Sequence, residues 1–234
     1  MFVLAAVAAV ETKAAGAAAG ADISGIYWTA SYSPTIQPVG GGAPPYTPAA
    51  MAAYQKNIAA AKAGTLEDNA RKFCVPDGVP RILQTPYPFE IVQSPERNEI
   101  HILHELNHGV RLIQMDRPMP SENELLELPY YNGHSVGHWE GDTLIVETAG
   151  FNDKTFLDNS GAPHSDKLRT IERIRKIDGG KELEDVVTIH DPGVFTKDWS
   201  ARFVYEKRSD IRMMEYNCGE KHRDLSSVKG VRIP

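Results

Sequence analysis

Several things are scarce in this sequence, and each shortage excludes a class of protein. No apolar run approaches the roughly 20 residues that cross a bilayer as a helix, so no membrane span is expected. Basic residues are outnumbered, 25 Lys and Arg against 31 Asp and Glu for a formal charge of -6, and they form no long block. Nucleic acid is therefore not an expected partner, because phosphate binding needs a basic footprint. There is no phosphate loop, no dinucleotide fingerprint and no fixed-period repeat, which argues against nucleotide cofactors, propellers and solenoids. Gly133-His134-Ser135-Val136-Gly137 fits the bare Gly-x-Ser-x-Gly pattern. The residues after it continue a strand instead of opening a helix, so the nucleophile-elbow context is missing.

What the chain does have is enough apolar material, 41% of 234 residues, to bury one large core. The expected organisation is a leader at residues 1–21 and a single domain at 22–234. The leader combines an apolar run, Phe2 to Val10, with an Ala/Gly-rich stretch containing Ala-x-Ala. That pattern fits a secretory signal or a low-complexity disordered segment. Only two cysteines are present, Cys74 in a loop and Cys218 after the last strong β pattern. In an exported chain they suggest one disulfide joining the start of the domain to its end; the alternative is two buried free thiols.

One helix is expected, from Ala49 to Ala63, with Thr47-Pro48 opening it and Gly64 closing it. From Phe89 onward the chain breaks into short alternating or β-branched runs separated by turn residues. With Ile23 to Thr29 in front and Ile211 to Asn217 at the end, about ten strands result. Ten strands and one short helix leave edges to protect, and closure removes edges. The expected fold is all-β, an antiparallel meander of eight to ten strands closing into a barrel.

Asp22-Ile23-Ser24-Gly25-Ile26-Tyr27-Trp28 resembles the Gly-x-Trp opening strand of lipocalin-like barrels, with the tryptophan displaced by one place. Longer phrases, among them Cys74-Val75-Pro76-Asp77-Gly78, Gly133-His134-Ser135-Val136-Gly137-His138-Trp139-Glu140-Gly141-Asp142-Thr143-Leu144 and Pro163-His164-Ser165, resemble a large family of uncharacterised exported bacterial proteins. The resemblance implies export, to periplasm or medium, and one domain. It implies no reaction.

Candidate chemistry gathers between His134 and Glu172. If Leu168, Thr170, Glu172 and Ile174 face inward, Glu172 is a lone carboxyl in an apolar interior, where desolvation favours a proton and suits acid–base work. A buried ion pair with an arginine of a neighbouring strand is the alternative. His134 and His164 are its natural partners in proton transfer. The polar loop from Phe151 to Ser165 contributes Asn152 and Lys154, either as a binding loop or through ordinary turn chemistry. Trp139 and Tyr131 are placed to shape a pocket, unless they are core. The leading functional expectation is thus a cofactor-independent lyase, isomerase or cyclase: Glu172, His134 and His164 catalytic, and Asn152, Trp139, Lys154 and Tyr131 binding a hydrophobic small molecule. A non-catalytic carrier of an apolar ligand is the second expectation, and an oligomer remains open.

A metal-dependent hydrolase or oxygenase is the third. His134, His138, Glu140 and His164 supply ligand types for zinc or iron, but an i, i+4 pair on a strand stands about 13 Å apart at about 3.3 Å per residue. No metal ligand is assigned. Of the remaining histidines, His101 and His104 point to opposite faces of one strand, and exposed or interstrand positions are expected for them.

Overall fold

The computed structural model describes residues 20–127 and 129–219. Residues 1–19, most of the expected leader, lie outside the described residues. Nine strands close into a barrel in chain order: β1 (Gly25–Thr29), β2 (Phe89–Ser94), β3 (Glu99–His104), β4 (Gly109–Met115), β5 (His134–Glu140), β6 (Thr143–Ala149), β7 (Arg169–Ile177), β8 (Glu182–His190) and β9 (Trp199–Lys207). The all-β barrel expected from the alternation is what forms. Two details differ. Ile211–Asn217 is not a tenth strand; Tyr216 forms an isolated bridge with Leu106, outside the nine strands. The meander is also not wholly antiparallel, since β4 and β5 run parallel while every other neighbouring pair, including β9 with β1, is antiparallel.

These two differences are one fact. Around a closed ring, strict alternation of direction needs an even number of strands. With nine, one neighbouring pair must run parallel. A parallel step needs a long connection instead of a hairpin, and residues 116–133 supply it. The parallel ladder is short, pairing Ile113, Gln114 and Met115 with Ser135, Val136 and Gly137. Gly137 makes the close approach possible, because a Cβ there would come within 2.9 Å of the Ile113 side chain and 3.1 Å of Met115 Sδ.

Among the described residues three α-helices decorate the barrel: α1 (Pro48–Lys62), α2 (Asn69–Phe73) and α3 (Glu122–Glu127). In α1 the Thr47 hydroxyl accepts from the Ala50 amide at 3.2 Å, and Gly64 follows at φ +70°, as the sequence signals require. The other two are too short to show a helical period.

The core has two parts. Inside the barrel, Ile23, Tyr27, Ile91, Ile100, Ile102, Ile113, Leu144, Val146, Ile174 and Leu183 pack together. At the other end, Ile36, Val79, Leu83, Phe151, Leu157, Ala162, Phe195 and Trp199 form a cap. The Phe151 to Ser165 loop belongs to this cap and is not a lid over an open mouth. Asp158 binds the amides of Ser160 and Ala162 through Oδ1 and that of Ile36 through Oδ2, Asn152 Oδ1 accepts from Lys154 N, and Ser165 Oγ accepts from Lys167 N. This is the turn chemistry that was the alternative reading of the loop. A disulfide joins Cys74 to Cys218, with the Cα atoms 5.6 Å apart across 144 residues of sequence.

Candidate ligand-binding cleft

Between the two core clusters the barrel interior is polar. Arg111 on β4 is 2% exposed and Glu172 on β7 is 0% exposed, and their side chains meet across the lumen. Arg111 Nη1 donates to Glu172 Oε1 at 2.8 Å, and Nη2 donates to Glu172 Oε2. Arg111 Nη2 also donates to Thr148 Oγ1 at 2.8 Å, and Nε to Ser135 Oγ at 3.1 Å. The guanidinium fork is thereby fixed by three strands other than its own, which is the geometry a buried ion pair needs to offset desolvation.

Three more titratable groups face the same interior. Burial holds the Asp185 carboxyl well above the ordinary carboxylate range, and the Glu172 carboxylate beside it adds to the effect, so the fold favours the protonated form of Asp185. His104 is buried and pushed down to about 3, first by desolvation and then by the charge of Arg111. Tyr205 donates to the Leu83 carbonyl at 2.8 Å, and desolvation raises its phenol well above its usual value. The interior cavity these groups line, with Glu172, measures only ≈ 20 Å³, room for about one water-sized molecule. His104 is thus neither exposed nor interstrand, because its place in β3 alternates with Ile100 and Ile102 on the inner face.

A much larger space lies on the barrel wall. Because β4 pairs with β5 only from Ile113 onward, the first half of β4 has no β5 neighbour. A cleft of ≈ 380 Å³ opens there, within the size range of small-molecule sites. Val110 (56% exposed), Leu112 (39%) and Tyr130 (45%) line it together with Tyr131 and His134. Its floor is made by Arg111 and Ser135, so the cleft ends on the outer side of the ion-pair network. His134 stacks edge to face on Tyr130 with ring centroids 4.5 Å apart, and burial lowers its pKa, favouring the neutral imidazole.

The seven residues singled out from the sequence are not brought into one place. Glu172 is inside, as the alternation of β7 indicated, but its partners are Arg111 and Asp185. His134 sits on the outer face of β5, since Ser135 and Gly137 take the inner one, and the expected Glu172–His134 pair does not form. Tyr131 and His134 meet in the cleft. Asn152 and Lys154 line a separate groove of ≈ 550 Å³ beneath α3. His164 is tucked into the cap: Nδ1 donates to the Ser165 carbonyl at 3.1 Å, leaving Nε2 to accept from the Thr155 hydroxyl at 3.3 Å. Desolvation lowers its pKa despite the carbonyl contact. Trp139 packs against the core at the end opposite the cap.

On the outer face, His138 lies 3.5 Å from Glu140, which Arg173 also holds at 2.9 Å. Among the described residues no group of three His, Cys, Asp or Glu side chains could hold a metal ion. Sequence reasoning missed Arg111, Val110 and Leu112, whereas Tyr130 was among the aromatic residues whose strand-end positions fitted a cavity lining. The signal for Arg111 was available: it alternates with Ile113 and Met115 just as Glu172 alternates with Thr170 and Ile174.

Fold and site together define a closed nine-stranded barrel with a sealed ionic interior and an open, apolar cleft in its wall. No family model, curated protein or solved structure matches the chain.

Proposed function

We propose that the protein is an exported carrier of a hydrophobic, ring-bearing small molecule, held in the cleft between β4 and β5. The observation that carries this reading is the gathering of Val110, Leu112 and Tyr130, all exposed, at the one parallel step of the barrel. Exposed apolar groups that converge in a concavity mark a binding site; scattered ones do not. The disulfide fits an oxidising compartment, which agrees with the resemblance to exported bacterial proteins and supports the periplasm or the medium as the place of work. No helix among the described residues is long and apolar enough to cross a membrane.

The carrier reading is tested with 1-anilinonaphthalene-8-sulfonate, a dye with apolar rings and one anionic group. Saturable binding of one dye per chain, abolished by Leu112→Asp, supports it. Absence of saturable binding, or binding unchanged by Leu112→Asp, rejects it.

An acid–base enzyme of the lyase, isomerase or cyclase type is favoured by one observation, the burial-neutralised His134 imidazole on the rim of the same cleft. Ligand extracted from the purified protein and returned to it separates the two. A carrier gives it back unchanged, whereas an enzyme alters it and His134→Gln stops the change.

A further inference from the structure

A second pocket of ≈ 440 Å³ lies at the capped end of the barrel, shares no lining residue with the cleft and is unused by the function proposed above. Two tyrosines, Tyr87 and Tyr216, form one wall with ring centroids 4.9 Å apart and a hydrogen bond between their side chains. Tyr32, half exposed, stands on the rim. The floor is Arg81, only 1% exposed and held in place from several sides. Asp68 takes both of its terminal nitrogens at 3.0 and 2.7 Å, Asn159 Oδ1 accepts from its Nε at 3.0 Å, and Asp77 lies 3.3 Å from that nitrogen.

Two properties of this arrangement limit its ligand. The charges there are already paired with one another, Arg71 and Arg81 with Asp68, and Arg81 also with Asp77. A charged ligand would lose hydration there and meet no net opposite charge. The remaining surface combines flat aromatic faces with amide, hydroxyl and carboxylate groups: the tyrosines against Asn107, Asn159, Thr85 and Asp77. Aromatic faces pack against the C–H face of a saturated ring, and planar amides and carboxylates exchange hydrogen bonds with hydroxyl groups around its edge.

One wall also depends on a covalent link. The segment carrying Tyr216 returns to the barrel only after β9 and reaches the pocket beside the Cys74–Cys218 bridge. Its other attachments include Met214 N to Glu105, Cys218 N to Asn107 Oδ1 at 2.9 Å, the bridge to Leu106 and the contact of Tyr216 with Tyr87.

We propose that this pocket binds a neutral polyhydroxylated ring, a sugar residue, and that the Cys74–Cys218 bridge holds the wall against which the ring stacks. The test is an NMR titration of the oxidised, full-length protein with a set of neutral methyl glycosides, up to about 100 mM to capture weak binding. Saturable shifts at Asn107, Asn159 and Tyr87 are expected for at least one glycoside. Binding weakens about tenfold in Tyr87→Ala, in line with the loss of one stacked ring. The methyl glucuronide binds at least as weakly as that variant. Leu112→Asp leaves the shifts unchanged, which keeps this site distinct from the cleft. No saturable shift with any glycoside overturns the proposal, and so does tighter binding of the glucuronide. For the wall, Cys74→Ser/Cys218→Ser is compared with Tyr216→Ala, which keeps the bridge and removes the ring; affinity retained in Tyr216→Ala overturns the stacking role whether or not the bridge-free protein folds.

Discussion

Among the described residues two arginines are buried, and their settings differ. Arg111 is held by side chains from β5, β6 and β7, all of them parts of a closed ladder. Arg81 is held by Asp68, Asp77 and Asn159, which come from a helix cap and from loops beside a pocket of ≈ 440 Å³. Closed strands cannot move apart to admit water without breaking backbone hydrogen bonds, whereas loops can shift. A charge left alone on Glu172, which lines only the ≈ 20 Å³ interior cavity, therefore keeps its full desolvation cost, and one left alone in the cap can regain water.

Removing one side of the barrel pair, by Glu172→Ala or Arg111→Met, is expected to lower unfolding free energy by about 3–5 kcal/mol, since the other charge is stranded. Urea denaturation measures this. The double substitution Arg111→Met with Glu172→Leu recovers a large part of the loss, because no charge then remains unpaired. If single and double variants are equally unstable, the network is not acting as a unit.

A second prediction concerns pH and the same interior. His104 is pushed down to about 3 in the fold, while the unfolded chain titrates near 6.5. Between those values the unfolded state holds the extra proton, so stability present above about pH 6.5 is lost as pH falls towards 3. Asp185 works in the opposite direction. Its proton is kept by the fold and released by the unfolded chain, so its contribution is complete below about pH 4 and declines as pH rises towards its elevated value. His104→Phe should flatten the acid limb of a stability-versus-pH curve, and Asp185→Asn the limb above pH 4. An acid limb unchanged in His104→Phe would place the histidine's titration elsewhere.

The third prediction returns to the cap. Arg81→Met is expected to cost about 2 kcal/mol, less than Arg111→Met, because Asp68 and Asp77 can rehydrate through the adjoining pocket. Equal costs for the two arginines would break the distinction between ladder and loops.

The same contrast explains how far the sequence was readable. Strand alternation placed Thr170, Glu172 and Ile174 inside because period-two burial is a local property of β7. It could not name the partner of Glu172, which lies 61 residues away in a strand three places round the barrel. Ile211–Asn217 looked like a strand by composition, yet β9 closes on β1 and leaves no edge for it to join. His134 failed as a partner through register alone: it stands one position before Ser135, which does touch Arg111. Asn152 and His164 looked reactive because turn-forming and catalytic residues are drawn from the same polar types, and only the cap shows their hydrogen bonds to be spent within the loop.

The smallest expected effect on stability lies at the cleft, and it is the one that bears most directly on function. Leu112 is on the outer face of β4, 39% exposed, with its inner neighbours Arg111 and Ile113 doing the packing. Leu112→Asp should therefore change unfolding free energy by no more than about 0.5 kcal/mol, as surface substitutions do, while removing dye binding. An exposed leucine kept at a break in an otherwise continuous ladder contributes little to the fold. If Leu112→Asp instead unfolds the protein, the cleft is part of the barrel's core and its apolar lining serves stability.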